Sequence, residues 1–163
     1  MTDDPDQPDL VDVFYRSLVR PLGNLVITFA QTEAALLELV TELDGTEENA
    51  RRILKNLDDT ALERVIELIK TSGLAGSDLA GLLEAAVSFW KEKERRNRYV
   101  HDAWFPDLTT PMTPGLPRRK AATIMFDAPT PEEVWTLVKR LQKNGLFSIA
   151  AHILRGIRSD NLA

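Results

Sequence analysis

Leu22, Leu25, Val26, Phe29, Glu33, Leu36, Leu37, Val40 and Leu43 recur at helical spacing, so one apolar stripe runs for about six turns. A helix of that length spans a small domain, and the rest of the chain must supply faces that cover its stripe. Those faces have the same period. Upstream, Leu10, Val13, Phe14, Ser17 and Leu18 lead to Pro21, where the pattern predicts that two helices meet, because an interior proline breaks a helix or opens one. Downstream, Asp44-Gly45-Thr46 reads as a stop followed by an N-cap, and Ile53, Leu54 and Leu57 give a short helix its apolar edge. Thr60 and Glu63 have capping-box spacing ahead of a helix over 61–71, with Leu62, Val65, Ile66 and Ile69 as its buried stripe. Past a glycine-rich turn, Ser77 or Asp78 is expected to cap the longest helix, Leu79 to about Trp104.

Residues 105–129 differ in character. Five prolines and the β-prone run Ala122 to Phe126 predict a loop or β-hairpin insertion, with Ala103 to Leu108 as candidate partner strand. Thr130-Pro131-Glu132-Glu133 then combines an N-cap, a first-position proline and a capping-box glutamate. Val134, Trp135, Leu137, Val138 and Leu141 form the core face of that helix. After Asn144-Gly145, Ile149, Ala150, Ile153, Leu154 and Ile157 are expected to face inward from the last one. The expected fold is an all-α helical bundle over residues 9–163, preceded by a disordered acidic tail over 1–8.

The chain has no cysteine and two histidines, which excludes disulfides, thiolate metal sites and cysteine nucleophiles and makes a catalytic metal improbable; neither metal nor cofactor is expected. The N-terminus lacks the basic start and apolar run of a signal peptide. No uncharged run approaches the ~18 residues of a membrane span, so a cytoplasmic location without membrane contact is expected. The net charge of −5 is unevenly placed. Residues 1–12 hold five aspartates and no base, residues 13–90 are acidic, and residues 91–120 hold eight basic against four acidic side chains. Phosphate affinity depends on local charge, so the net value does not exclude RNA.

One stretch departs from an ordinary surface helix. Counting by threes and fours from Leu83, Ala86 and Trp90 leads through Glu94 to Asn97, His101 and Trp104, which puts polar groups on the inward line. Arg96 lies on the neighbouring line with Phe89, Lys93 and Val100. A histidine can move a proton at neutral pH, and an arginine can hold a phosphate and the charge that develops on it. Together they suit metal-free cleavage of RNA, whose own 2′-hydroxyl is the nucleophile.

The run Arg96-Asn97-Arg98-Tyr99-Val100-His101 resembles the R-x4–6-H motif of the HEPN superfamily, with the usual polar residue after the arginine and a position late in a long bundle helix. The resemblance implies a helical bundle, often a homodimer with facing motif copies, that cuts RNA without metal. Such proteins occur in toxin and antiphage defence systems, which would add a cognate antitoxin or defence partner. Arg96 and His101 would be the catalytic pair and Asn97 their support. Ala103 stands where toxins encoded beside a nucleotidyltransferase antitoxin carry tyrosine, which disfavours that subgroup. Some members are instead non-catalytic dimerisation, nucleotide-binding or partner-binding modules.

Glu33 is a carboxylate on an apolar stripe. Either it orients Arg96 or His101, as acidic residues of early helices do in some HEPN members, or it reaches solvent from the stripe's edge. Lys93, Arg95, Arg98, Arg118, Arg119 and Lys120 are candidate RNA contacts, with Tyr99 or Trp104 available for base stacking, although core packing is the simpler role for Trp104. Ion pairs of Glu92 with Arg96 and Glu94 with Arg98 would account for the charge run without any site. His152 is expected to be structural.

Overall fold

The computed structural model describes residues 10–101, 105–106, 114–115, 117–120, 123–126, 129–143 and 145–160; the side chains of residues 10–15, 101–126 and 160 lie outside the description. The chain is an all-α bundle of α1 (Leu10–Asp44), α2 (Glu47–Leu54), α3 (Asp59–Lys70), α4 (Gly76–His101), α5 (Pro131–Lys143) and α6 (Leu146–Asp160). Between α4 and α5 lie two short antiparallel ladders. Phe105–Pro106 (β1) pairs with Pro114–Gly115 (β2), and Pro117–Lys120 (β3) with Thr123–Phe126 (β4). The partner of the β-prone run is thus the adjacent Pro117–Lys120 and not the stretch around Leu108, because a tight hairpin closes with far less chain than the longer loop would need. The tail over 1–8, Asn144 and Trp104 lie outside the described residues.

α1 does not break at Pro21. It runs unbroken for 35 residues with Pro21 inside it, because Leu18, Pro21, Leu25 and Phe29 are buried in succession. Continuous burial of one stripe outweighs the roughly 3 kcal/mol that an interior proline costs. Thr28 and Thr32 are also buried on this helix, and the Thr32 hydroxyl donates back to the Thr28 carbonyl at 2.8 Å.

The other helix ends follow from local chemistry. Gly45 takes φ +96°, and Thr46 Oγ1 accepts from Asn49 N at the start of α2. Thr130 and Glu133 form the reciprocal capping box, at 2.8 and 3.2 Å. α3 starts earlier than its expected cap: Asp58, not Thr60, accepts from Ala61 N at 2.9 Å, since a carboxylate three residues before a free amide caps as well as a hydroxyl does. α4 likewise opens at Gly76 (φ +60°) rather than at Leu79. The buried residues of α3 are Ala61, Val65, Leu68 and Ile69, so Leu62 and Ile66 flank the buried stripe.

α1 lies at the centre, with α5 and α6 packed along it. Phe89 stacks on Phe29 at 5.2 Å and meets Phe147 edge-on at 6.1 Å. Tyr99 and Val100 share a groove with Leu18 and Leu22, so α4 runs antiparallel to α1. Arg155 reaches Glu38 and Glu42, further along α1 than Phe29, so α6 runs parallel to α1. In α6 the buried residues are Phe147, Ala150, Ala151 and Leu154, whereas Ile149, Ile153 and Ile157 point outward, against expectation. Phe147 is the residue that decides this register, because its ring completes the aromatic cluster around Phe89. No described helix is long and apolar enough to cross a membrane.

Candidate functional site

The inner face of α4 runs through Leu82, Ala85, Ala86 and Phe89 to Glu92, Lys93, Arg96 and Val100. Glu94, expected on the inward line, is exposed. Three- and four-residue steps can follow either of two lines once apolar markers end, and the line carrying Arg96 is the one that packs.

Arg96 is half-buried between α4 and α1. Its guanidinium carbon stands 4.8 Å from the centroid of the Phe29 ring, a cation–π geometry, and its Nη1 donates to Asn97 Oδ1 at 3.1 Å. Phe29 is in turn stacked on Phe89, so the platform beneath the guanidinium is braced by the core. One turn beyond Phe29 on α1 lies Glu33. Burial raises the Glu33 carboxyl above its ordinary pKa, and the positive charge of Arg96 pulls it partly back. Glu33 also borders a pocket of about 270 Å³ between α1 and α2, floored by Leu36, Leu37 and Leu54 and edged by Arg51 and Lys55. Arg96, Asn97 and Glu33 therefore come together as a cation, its amide partner and an opposing carboxylate. His101 is the last residue of α4, about 7.5 Å beyond Arg96 along the axis, and its side chain lies outside the described residues.

The candidate RNA contacts divide. Lys93 is not available for RNA: its side chain is only 14% exposed, its ammonium donates to the Leu57 carbonyl, and it ion-pairs with Glu94 at 3.3 Å. Leu57 has φ +48°, and one residue on, the Asp58 carbonyl accepts from Trp90 Nε1 at 2.9 Å. Lys93 and Trp90 thus fasten the α2–α3 loop to α4. Arg95 is half-exposed and reaches Glu92 at 3.5 Å, while buried Glu92 also meets Arg140 of α5 at 3.4 Å. Arg98 is exposed on the outer face of α4. Tyr99 is half-buried in the wall of an apolar groove of about 470 Å³ shared with Leu18, Leu22, Val26 and Val100. Arg118, Arg119 and Lys120 lie on β3, their side chains outside the described residues. His152 is exposed rather than packed.

The charge run is used differently from the expected i,i+4 scheme. Glu92 pairs with Arg95 and Arg140, and Glu94 with Lys93. The sequence reading missed Phe29 as the platform for Arg96, although its position four residues before Glu33 on the same stripe is a signal for it. It also missed Arg140 as the second partner of Glu92, which only the tertiary fold reveals. Among the described residues, no cluster of three histidine, aspartate or glutamate side chains could hold a metal ion. Comparison with protein-family models, curated proteins and solved structures gave no match.

Proposed function

We propose that this chain is a HEPN-like, metal-independent endoribonuclease, acting as a homodimer with facing motifs in a cytoplasmic toxin or antiphage defence system. In this reading the RNA 2′-oxygen attacks the adjacent phosphorus, the P–O5′ bond breaks, and the products are a 2′,3′-cyclic phosphate and a 5′-hydroxyl. His101 moves the proton, and Arg96 binds the phosphate and stabilises the charge that grows on it. Asn97 holds the guanidinium. Glu33 balances the charge of Arg96 until phosphate arrives, after which the arginine is shared between the two.

The observation that carries the reading is the placement of Arg96: braced on Phe29, tied to Asn97, opposed by Glu33 and one and a half turns from His101 on the same helix. Pre-set donors of this kind are worth roughly 100-fold or more in rate. The half-burial of Arg96 against Phe29 also favours a second reading, a non-catalytic dimerisation, nucleotide-binding or partner-binding module in which the same arginine braces the helix pair. Purified protein incubated with mixed RNA in EDTA decides between them. Cleavage that yields cyclic phosphate ends and is lost in both His101→Ala and Arg96→Gln is expected. RNA left intact by wild type, or cut equally by His101→Ala, rejects the nuclease.

A further inference from the structure

The pocket of about 270 Å³ between α1 and α2 has three kinds of wall. Leu36, Leu37 and Leu54 make an apolar floor, Glu33 borders it from α1, and Arg51 and Lys55 border it from α2 and its end. Among the described residues the Glu33 carboxylate makes no hydrogen bond or ion pair; desolvation raises it above its ordinary pKa, and Arg96 acts on it as a nearby charge. A carboxylate that burial has partly stripped of water gains most from donors that a ligand supplies.

The cations at the rim are not equivalent. Arg51 is held by Glu47 at 2.6 Å, whereas exposed Lys55 has no ion pair or side-chain hydrogen bond among the described residues. Lys55 also borders an adjoining pocket of about 370 Å³, where Arg52 and Arg64, the second paired with Glu67 at 3.0 Å, are among the other walls. The acidic residue there, Asp58, is committed to the cap of α3, accepting from Ala61 N. Positive charge therefore gathers around Lys55, away from Glu33.

A ligand that answers all three walls has a flat apolar body for the floor, paired N–H donors for the carboxylate and an anionic group for Lys55. We propose that the pocket takes a guanine nucleotide, with Glu33 accepting from N1–H and the N2 amine of the base and Lys55 binding its phosphate. Guanine alone among the four bases sets two donors side by side on its Watson–Crick edge, which the two oxygens of a carboxylate match. Adenine and cytosine set an acceptor beside their amine, and uracil sets a carbonyl on either side of its single N–H, so each would turn a lone pair toward the carboxylate. The pocket adjoins the Arg96 site: Glu33 borders both, and the carbonyl of Leu57, another of its walls, accepts from Lys93, one turn before Arg96. That the nucleotide belongs to an RNA strand, with the guanine beside the scissile phosphate, rests on the ribonuclease reading; the match of base to pocket does not.

Calorimetric titration of the full chain with mononucleotides tests the pocket, and cleavage of a defined strand tests the source of the guanine. 5′-GMP is expected to bind about tenfold more tightly than 5′-AMP, and Glu33→Gln to abolish that preference. Lys55→Met is expected to weaken 5′-GMP about threefold and leave guanosine, which has no phosphate, unchanged, whereas a general loosening of the pocket would weaken both. In EDTA, wild type is expected to cut a single-stranded RNA beside its one guanine about tenfold faster than the same strand carrying adenine there, a preference lost in Glu33→Gln. A preference for 5′-GMP with no RNA cut rejects the ribonuclease reading and assigns the pocket to a free guanine nucleotide. Equal binding of 5′-GMP and 5′-AMP, or a guanine preference that survives Glu33→Gln, overturns the proposal whatever the chain does to RNA.

Discussion

Lys93 and Arg96 stand one turn apart on α4, both basic and both turned toward the bundle, yet their surroundings differ in kind. Lys93 ends on a backbone carbonyl in the left-handed turn at Leu57, a partner that no ligand would displace without opening the α2–α3 loop. Arg96 ends over an aromatic face beside a carboxylate and an amide. The guanidinium gives its face to the ring and an N–H to the amide, whereas an ammonium has only N–H donors to offer. Burial alone therefore does not separate the two cations. The chemistry of the partner does.

The comparison is most severely tested at the platform the two regions share. Phe89→Ala removes the ring that braces Phe29 and contacts Phe147, and should cost about 3–5 kcal/mol by urea unfolding. Lys93→Met keeps the aliphatic stem and abandons the Leu57 carbonyl, an expected loss of about 1–3 kcal/mol with RNA binding by the folded fraction unchanged. Weaker RNA binding at unchanged stability would erase the distinction. Arg96→Gln should show the opposite pattern, a stability change of no more than about 1 kcal/mol alongside the loss of cleavage.

The smallest effect concerns Glu33. Its pKa is raised in the folded state, mainly by burial, so folding favours the protonated form, and stability falls as pH rises from the ordinary glutamate value through the raised one. Glu33→Gln should then melt slightly higher than wild type at pH 8 and level with it at pH 3. A lower melting temperature at pH 8 would mean that the attraction to Arg96 exceeds the burial cost.

Helix starts were legible in the sequence wherever a cap is a matter of a few bonded atoms, as at Thr46 and Thr130. The all-α class was legible from the stripes. Faces were less so. In α6 the isoleucines outweigh Ala150 and Ala151 on any hydropathy count, so periodicity alone selects the exposed stripe, and only the fit of Phe147 against Phe89 reverses the choice. Pro21 shows the same dominance of packing over local preference. In the site, the Arg96–Asn97 neighbourhood and the oddity of Glu33 could be read from spacing. The Phe29 platform and the commitment of Lys93 to Leu57 depend on contacts 67 and 36 residues apart, which no local pattern encodes.

The position of α1 governs how the chain is made. Its stripe leaves the ribosome well before α5 and α6, which cover much of it, and Arg155 closes on Glu38 across 117 positions. Domains with such distant pairings fold slowly, and the surface awaiting its cover is open to aggregation. The bundle cannot close while its C-terminal helices are still in the exit tunnel, so a ribosome stalled near residue 145 holds a chain whose central helix is bare on the α6 side. Ribosome-bound chains of increasing length should therefore resist protease only once α6 has fully emerged.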